Sequence, residues 1–386
     1  MKKTVGILRK NTMLIVLVLV VLFFTATTKG QMVSAVNFNA LITQNAYVYV
    51  LATGMLMCML TGGNIDLSVG SLVCFIGAVG GTMMVINGYP VWISMIATLA
   101  IGLLVGCVQG YLIAYLNIPP WISTLAGYLA FRGWGTAVMK GLTIAPMPEG
   151  FVKLFSGYVP DVFGMNGFNL TCFITGIVAC VIFVVLQIRD RAGKLRKGYE
   201  AASVQSVIVK CVLVCAVILL FAFKFSQQKG IPFTLIWVAI ILLIYNFITS
   251  KTTIGRYFYT IGDNVEATRL SGIDTKKIFF IAYLNMAFLT VISAWMTMAR
   301  LTAANPTAGT NYEMDAISAC VVGGVSAYGG SGTVFGMVVG ATLIGVINLG
   351  MSIMGIDANY QKVVKGVVLL AAVVFEILNN KDKQTK

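Results

Sequence analysis

Long apolar runs separated by short polar segments form the dominant pattern along this chain. No Asp, Glu, Lys or Arg occurs between Asp66 and Arg132, and none occurs between Asp315 and Asp357. Because a helix needs about 20 mostly apolar residues to cross a bilayer, the pattern predicts an all-α polytopic integral membrane protein with about 10–11 transmembrane helices. The predicted spans are 13–24, 46–62, 67–87, 91–115, 120–139, 168–187, 206–224, 230–249, 278–300, 332–355 and 361–379.

A shorter apolar piece, 316–328, is too brief to cross a bilayer alone, so we predict a broken or re-entrant segment there. Two Gly-Gly pairs each precede an apolar helix, Gly62-Gly63 in one half of the chain and Gly329-Gly330 in the other. Non-helical backbone at membrane depth is tolerated only beside protein or a water-filled cavity. The paired breaks therefore indicate a transport path and, more weakly, duplicated halves.

Glycines spaced four apart recur in several predicted spans and indicate helices that pack closely. They are interpreted either as static contacts or as surfaces that slide when the protein changes shape. The G-x-x-x-G sets are Gly77 with Gly81, then Gly102 with Gly106 and Gly110, and Gly336 with Gly340.

The composition narrows the chemistry. Hydrophobic residues make up 58% of the 386 positions and charged residues only 10%, which excludes a soluble globular enzyme. The chain has no histidine, so His-based catalysis and His metal sites are excluded. All eight cysteines lie in apolar stretches without a C-x-x-C pair, so we interpret them as apolar fillers and predict neither a disulfide nor a metal site.

The net charge of +14 reflects Lys and Arg gathered on one side of the predicted membrane rather than a nucleic-acid partner. Seventeen of the 27 basic residues fall in the segments 1–10, 188–202, 250–277 and 380–386, which are therefore predicted to be cytoplasmic, with both termini inside. The basic start and the first span are interpreted as an uncleaved signal anchor. Residues 1–386 are predicted to form a single transmembrane domain.

Two polar residues in apolar surroundings are candidates for function. Asp66 precedes an apolar run, so it either caps a helix beginning at Leu67 or lines a solute path, or does both. Arg132 lies inside an apolar helix, where it either faces a partner or water, or extends to the outer headgroups.

The longest inner loop in the second half of the chain contains a predicted short helix at about 264–270. Asp263 and Glu266 have the spacing of a capping box, and Gly272 stands where the helix would end in a left-handed turn. Such a helix is too short to be stable alone in water, so it needs a surface to dock on. That surface is either the protein's own spans or a partner.

The stretch Gly262-Asp-Asn-x-x-Ala267 followed by Ser271-Gly-Ile273 resembles the coupling loop of binding-protein-dependent ABC importer permeases, in the branch that carries monosaccharides such as ribose, galactose and xylose. Three further stretches resemble the same branch, and the likeness covers roughly residues 40–380. They are Gly62-Gly-Asn-Ile-Asp-Leu-Ser-Val-Gly-Ser71, Arg132-Gly133, and Arg300-Leu-Thr-Ala-Ala-Asn-Pro-Thr-Ala-Gly-Thr-Asn-Tyr-Glu-Met-Asp-Ala-Ile317 running into Gly323-Gly-Val-Ser-Ala-Tyr-Gly-Gly330.

The resemblance implies a transport subunit in a bacterial inner membrane that holds no cofactor and catalyses no reaction, and the chain has no P-loop motif. The implied partners are a second copy of the chain, a cytoplasmic tandem-domain ATPase that binds ATP, an extracytoplasmic sugar-binding protein and the lipid bilayer. The implied ATPase-coupling residues are Gly262, Asp263, Asn264, Glu266, Ala267, Gly272 and Ile273. Candidate residues for the sugar path are Asn64, Asp66, Ser68, Ser71, Gln109, Trp121, Arg132 and Asn348.

The chain departs from the family pattern in two places. Asn64 replaces a glycine common in the first motif, and residues 188–230 add a basic loop and a span that compact ribose-type permeases lack. The longer form looks like the xylose-type and multiple-monosaccharide permeases. Alternatives are a permease of the same superfamily for branched-chain amino acids or nucleosides, or an ion-coupled secondary transporter. The latter needs intramembrane carboxylates, for which Asp66 and Glu376 are the candidates.

Overall fold

The computed structural model describes residues 12–164, 167–199 and 203–384, with side chains described up to residue 374. Within these ranges the chain forms helices and isolated bridges but no named β-strand, which confirms the all-α fold class. The helices are α1 (Thr12–Thr27), α2 (Ala35–Leu60), α3 (Val69–Gly81), α4 (Val91–Ala114), α5 (Pro120–Val138), α6 (Glu149–Ser156), α7 (Leu170–Arg196), α8 (Val204–Ser226), α9 (Phe233–Lys251), α10 (Thr253–Asp263), α11 (Val265–Leu270), α12 (Thr275–Leu301), α13 (Tyr312–Val322), α14 (Val334–Ile353) and α15 (Ala358–Gln384).

Eight helical segments among the described residues are long and apolar enough to cross a membrane, which confirms a polytopic membrane protein. They are α2, α3 with its π-helical extension Thr82–Ile86, α4, α7, α8, α9, α12 and α14. The remaining predicted spans coincide with α1, α5 and α15. The predicted segment 1–10 and the last two positions of the predicted tail 380–386 lie outside the described residues.

Two predicted boundaries were wrong. The second span begins at Ala35 rather than at 46, because a polar side chain in its first half is satisfied by a neighbouring helix. Asn45 donates from Nδ2 to the Ala341 carbonyl oxygen at 2.8 Å. The predicted basic loop 188–202 is helical up to Arg196. Basic side chains in the last turn stabilise this extension, because cations interact favourably with the negative end of the α7 dipole. Residues 200–202 of that loop lie outside the described residues.

The chain divides into two compact units. The first contains residues 41–156 and those from 234 onward, together with α1. That the whole chain forms a single transmembrane domain stays a prediction. In this unit α12 packs along α3 and α4, α3 packs on α5, and α13 packs on α14. The core of the unit is apolar and is centred on α2, α3 and α12.

The second unit consists of residues 33–40 and 157–233 and is built on the α7–α8 hairpin. Cys172 faces Ala222 and Cys180 faces Cys215, so the two helices run antiparallel. Gly176 allows the close approach, since a Cβ there would lie 2.4 Å from the Ala222 Cβ. Most of both helices remains uncovered by protein, as expected for apolar surfaces that face lipid.

Several of the glycines spaced four apart lie at close helix contacts, as predicted, whereas Gly77 makes only an ordinary van der Waals contact with Met298. A Cβ on Gly106 of α4 would lie 2.7 Å from the Ala287 Cβ of α12. A Cβ on Gly340 of α14 would lie 2.1 Å from the Ala319 carbonyl oxygen of α13. Whether these contacts slide stays a prediction.

The segment that follows α12 returns along the whole length of that helix although only part of it is helical. Leu301 ends α12, and the chain then forms α13 and a Gly-rich coil from 323 to 333. This coil contacts α10, because Tyr259 donates from Oη to the Gly332 carbonyl oxygen at 2.9 Å. Since α10 precedes the beginning of α12, the coil lies at the end of α12 opposite to Leu301. The predicted broken segment is therefore confirmed, and duplicated halves stay a prediction.

Candidate coupling junction and polar sites

The predicted short helix exists as α11, but its cap is not the predicted one. The Asn264 side chain accepts a hydrogen bond from the Ala267 backbone N–H at 2.9 Å. Asp263 cannot take that place because α10 continues through it, which leaves Asn264 as the extended residue between two helices. Glu266 instead pairs with Arg269 at 2.5 Å on the surface. The predicted left-handed turn at Gly272 is confirmed by its φ of 82°.

The outer face of α11 is open to solvent and partly apolar. Leu270 is 79% exposed, Val265 is also exposed, and Thr268 is the buried residue of this helix. The Thr268 hydroxyl lies 2.8 Å from the carbonyl oxygens of Thr260 and Asn264, so it ties α11 to α10. Of the predicted coupling residues, Asp263, Asn264, Glu266, Ala267 and Gly272 are exposed, whereas Gly262 and Ile273 are half-buried.

The two Gly-Gly breaks meet at Gly262, and we name Gly62, Gly63, Gly262, Gly329 and Gly330 the glycine junction. A Cβ on Gly262 would lie 2.0 Å from the Leu60 carbonyl oxygen and 2.2 Å from the Gly330 nitrogen. A Cβ on Gly63 would lie 2.0 Å from the Ala327 carbonyl oxygen. The Gly330 N–H donates to the Leu60 carbonyl oxygen at 3.1 Å. Backbone therefore touches backbone at this point, with no side chain between.

Tyr259 strengthens the attachment of α10 to the junction. Its hydroxyl donates to the Gly332 carbonyl oxygen, as described above. Burial raises the pKa of Tyr259, so the phenol keeps the proton that it donates.

A buried polar cluster joins three residues of the predicted path. The Asp66 carboxylate accepts from the Ser68 N–H at 2.8 Å and from the Ser68 hydroxyl at 2.7 Å. Gln109 in turn donates from Nε2 to the Ser68 oxygen at 3.0 Å. Helix α3 begins at Val69 rather than Leu67, so Asp66 stabilises the turn before the helix and the prediction that it is the N-cap was wrong. The Gln109 Oε1 and Ser71 Oγ atoms are buried without a hydrogen-bond partner among the described residues.

Arg132 bonds to the protein itself, which favours the alternative of a partner over extension to the headgroups. Its Nη1 donates to the Pro306 carbonyl oxygen at 2.9 Å and to the Ala308 carbonyl oxygen at 2.7 Å. The guanidinium thereby ties α5 to the segment between α12 and α13. Its Nη2 is buried without a partner in the described part of the chain.

The other predicted path residues lie elsewhere. Trp121 is exposed on α5. Asn64 lines a cleft of about 360 Å³ beside Glu266 and Arg269 of α11. Asn348 lines a different cavity of about 240 Å³. Within the described residues, hydrogen bonds therefore join only a part of the predicted set.

An ion pair that sequence reasoning missed borders the cavity beside Asn348, since its lysine lines the cavity. Lys365 donates from Nζ to Asp315 Oδ1 at 2.8 Å, and Tyr47 donates from Oη to Asp315 Oδ2 at 2.6 Å. The Tyr47 and Tyr312 rings stack with centroids 3.6 Å apart. Two further carboxylates that the sequence interpretation did not count, Asp315 and Glu313, are buried on α13. That Asp66 and Glu376 are the intramembrane carboxylates stays a prediction. The Glu376 side chain lies outside the described residues.

Comparison with known proteins places this architecture in context. The family model described as "Branched-chain amino acid transport system / permease component" matches residues 37–373. The chain is 36% identical to the xylose transport system permease protein XylH of Haemophilus influenzae over 369 residues, which cover 96% of each chain. It is 35% identical to XylH of Escherichia coli K12 over 94% of this chain and 90% of that relative. It is 30% identical to the ribose import permease protein RbsC of the same strain over 94% of this chain and 92% of that relative. No solved structure matches the chain.

Proposed function

Since this chain belongs to the family described as branched-chain amino acid transport system permease components, we propose that it forms the membrane-spanning subunit of a binding-protein-dependent ABC importer for a monosaccharide. The relatives that it matches over nearly their whole length are named as xylose and ribose permeases. The observation that carries the proposal is the glycine junction, since it connects an exposed helix with both breaks in the membrane-spanning helices.

The coupling mechanism follows from the contacts of α10 and α11. A separate ATPase that binds the exposed face of α11 displaces α10 as well, because Thr268 joins the two helices. At Gly262 the displacement acts directly on the backbone at Leu60 and Gly330. Leu60 ends α2 directly before the first break, and Gly330 belongs to the second break, so one movement reaches both halves of the protein. Closely packed interfaces of this kind change between discrete arrangements rather than deforming continuously.

The partners follow from this arrangement. The chain itself binds no ATP and needs no cofactor, and the nucleotide is held by the ATPase on the α11 side, which is the cytoplasmic side. A second copy of the chain completes the pathway, and an external sugar-binding protein delivers the sugar to the opposite side. Among the described residues, the eight long apolar helices, together with α1, α5, α15 and with α13 and its coil counted as one crossing, make twelve crossings, so both ends of the described chain lie on one side. The basic residues gathered in the predicted inner segments make that side cytoplasmic.

Reconstitution tests the proposal. The purified chain is placed in liposomes with the ATPase and the sugar-binding protein of the same organism that copurify with it, and uptake of D-xylose and D-ribose is measured with and without ATP. We expect ATP-dependent uptake of a pentose and none when the ATPase is omitted. Uptake that needs no ATPase indicates an ion-coupled transporter, and uptake of leucine or a nucleoside in place of sugars indicates the other permease classes of the superfamily; either result contradicts the proposal.

The site of ATPase contact is tested by Leu270→Ser, which replaces the most prominent apolar side chain of α11. We expect capture of the ATPase by the purified chain to fall several-fold. Leu142→Ser is the matched control, since Leu142 is also highly exposed, at 70%. The first residues of α5 line the cleft beside α11, and Leu142 follows the other end of α5. Leu142 is therefore at the opposite membrane side, and its replacement leaves capture unchanged. Equal capture by both variants contradicts the role of α11.

A further inference from the structure

The cavity beside Asn348 lies in the half of the membrane remote from α11. Arg300 is in the last turn of α12, Ser352 is near the end of α14, and Gln361 is in the first turns of α15. The other end of α12 directly follows α11 in the chain. The cavity therefore lies on the side from which the proposed importer receives its sugar.

We infer that this cavity is a binding site for one monosaccharide within each copy of the chain, an inference that rests on the proposed function. Sugar hydroxyls both donate and accept hydrogen bonds, so a sugar site needs planar amides and charged groups as well as apolar contact surface. The polar groups that line the cavity are Gln44, Asn45, Asn348, Ser352, Gln361, Arg300 and Lys365. Tyr47 and Tyr312 also line it and supply aromatic surface.

Two features of the lining indicate a ligand rather than a closed structural network. The Asn348 Oδ1 is buried and has no hydrogen-bond partner among the described residues. Leaving such an acceptor unsatisfied is unfavourable. Because Asn348 lines the cavity although its Oδ1 atom is covered, a rotation of the amide toward a sugar hydroxyl in the cavity removes the cost. The Lys365 ammonium uses one donor on Asp315, and its side chain is still 24% exposed, so further donors are available.

The size of the cavity limits the ligand. Its volume of about 240 Å³ far exceeds the roughly 10–15 Å³ that one bridging water requires. It lies slightly below the range of about 300–1,000 Å³ typical of sites for drug-sized molecules. A single small polar molecule such as a pentose fits these limits.

Asn348→Leu distinguishes a ligand-binding role from a structural one. If Asn348 had only a structural role, an apolar side chain of similar size would leave stability unchanged or raise it and would not affect sugar binding. We expect the full-length variant to retain its melting temperature while its dissociation constant for radiolabelled D-xylose, measured on the purified chain in nanodiscs, rises about three- to tenfold through loss of one hydrogen bond. Unchanged xylose affinity overturns the inference.

Ser293→Ala is the matched control. Ser293 of α12 is also buried with an unpartnered side-chain oxygen, but it does not line the cavity and precedes Arg300 by roughly 10 Å along the helix. This variant keeps the wild-type xylose affinity. A loss equal to that of Asn348→Leu overturns the inference, since it shows a general effect on the fold.

Two further outcomes separate this inference from the proposed function. The charges at the cavity sum to a net positive value, from Arg300, Lys365 and Asp315. A positive cavity also attracts phosphate, so binding of glycerol 1-phosphate is measured in the same assay. Binding of glycerol 1-phosphate without xylose binding overturns the inference and assigns the cavity to a phosphate headgroup. If the wild-type importer takes up xylose and Asn348→Leu does so with the same KM, the inference fails while the proposed function stands. If the wild type takes up no sugar at all, the proposed function fails.

Discussion

Gly262 and Gly330 lie so close that a Cβ on Gly262 would be 2.2 Å from the Gly330 nitrogen. The first residue belongs to the segment that ends in the exposed helix α11, and the second belongs to the coil that precedes α14. A contact between two backbones leaves no flexible side chain that absorbs a small displacement. Movement of α10 must therefore move the coil or break the contact.

Gly262→Ala tests this relationship. The added methyl group has no room beside the backbone of Leu60 and Gly330, so we expect a loss of about 1–3 kcal/mol in stability, typical of overpacking, and a several-fold loss of ATP-driven uptake. Thermal unfolding and uptake in liposomes measure the two effects. Gly193→Ala is the control, because no atom lies within 4 Å of the added Cβ in the last turn of α7. Normal uptake by Gly262→Ala contradicts transmission through the junction.

Asn264→Ala tests the cap of α11. Loss of the bond from Ala267 to the side chain destabilises the first turn by about 1 kcal/mol. Since α11 is too short to be stable alone, we expect ATPase affinity to fall about fivefold, measured by titration of the purified ATPase. Asn264→Asp keeps an acceptor at the same place and retains the affinity. If both variants bind the ATPase alike, the cap does not contribute to docking.

Asp66→Asn and Asp66→Ala differ in the bonds that they keep. The amide oxygen of Asn still accepts from the Ser68 N–H and hydroxyl, so we expect little change in melting temperature. Ala removes both bonds and leaves the buried Ser68 donors without this acceptor, at a cost of about 1–3 kcal/mol. Thermal unfolding in nanodiscs measures this difference. Equal stability of the two variants contradicts the structural role of the carboxylate.

Lys365→Met is expected to be more harmful than Asp315→Asn. The Asp315 side chain is 4% exposed against 24% for Lys365, so removing the lysine leaves a buried charge, whereas removing the carboxylate leaves a cation that reaches water. Breaking a buried pair costs about 3–5 kcal/mol, and we expect Lys365→Met to approach that value. The double variant recovers much of the loss. Melting temperatures of the three variants provide the measurement, and an equal loss in both single variants contradicts the argument.

The membrane-spanning helices were predictable because the length of each apolar run is read directly from the sequence. The beginning of α2 was not, since Asn45 resembles a loop residue until the Ala341 carbonyl oxygen that accepts from it is known. The existence of α11 followed from local spacing, but its cap did not. Whether Asp263 or Asn264 is the cap depends on where α10 ends. That end is set by tertiary packing, since Phe258 and Ile261 of α10 are buried, and the local sequence does not show it.

The candidate sites were harder to predict than the helices because their members are distant in sequence. The sequence displays both Gly-Gly pairs, yet nothing local indicates that they touch each other and Gly262. Likewise, Asp315 and Lys365 are separated by 50 positions, and each looks like an isolated charge. Asp66, Ser68 and Gln109 were selected for their polarity, and the fold joins them because α3 and α4 are neighbours.

The ion pair between α13 and α15 also constrains how the protein is made. A ribosome that adds roughly 5–20 residues per second needs about 2.5–10 s to proceed from Asp315 to Lys365. During that interval Tyr47, which is already translated, is available to the Asp315 carboxylate, but Lys365 is not. The pair between α13 and α15 therefore forms only once α15 has been translated, so this part of the molecule reaches its final contacts late in synthesis.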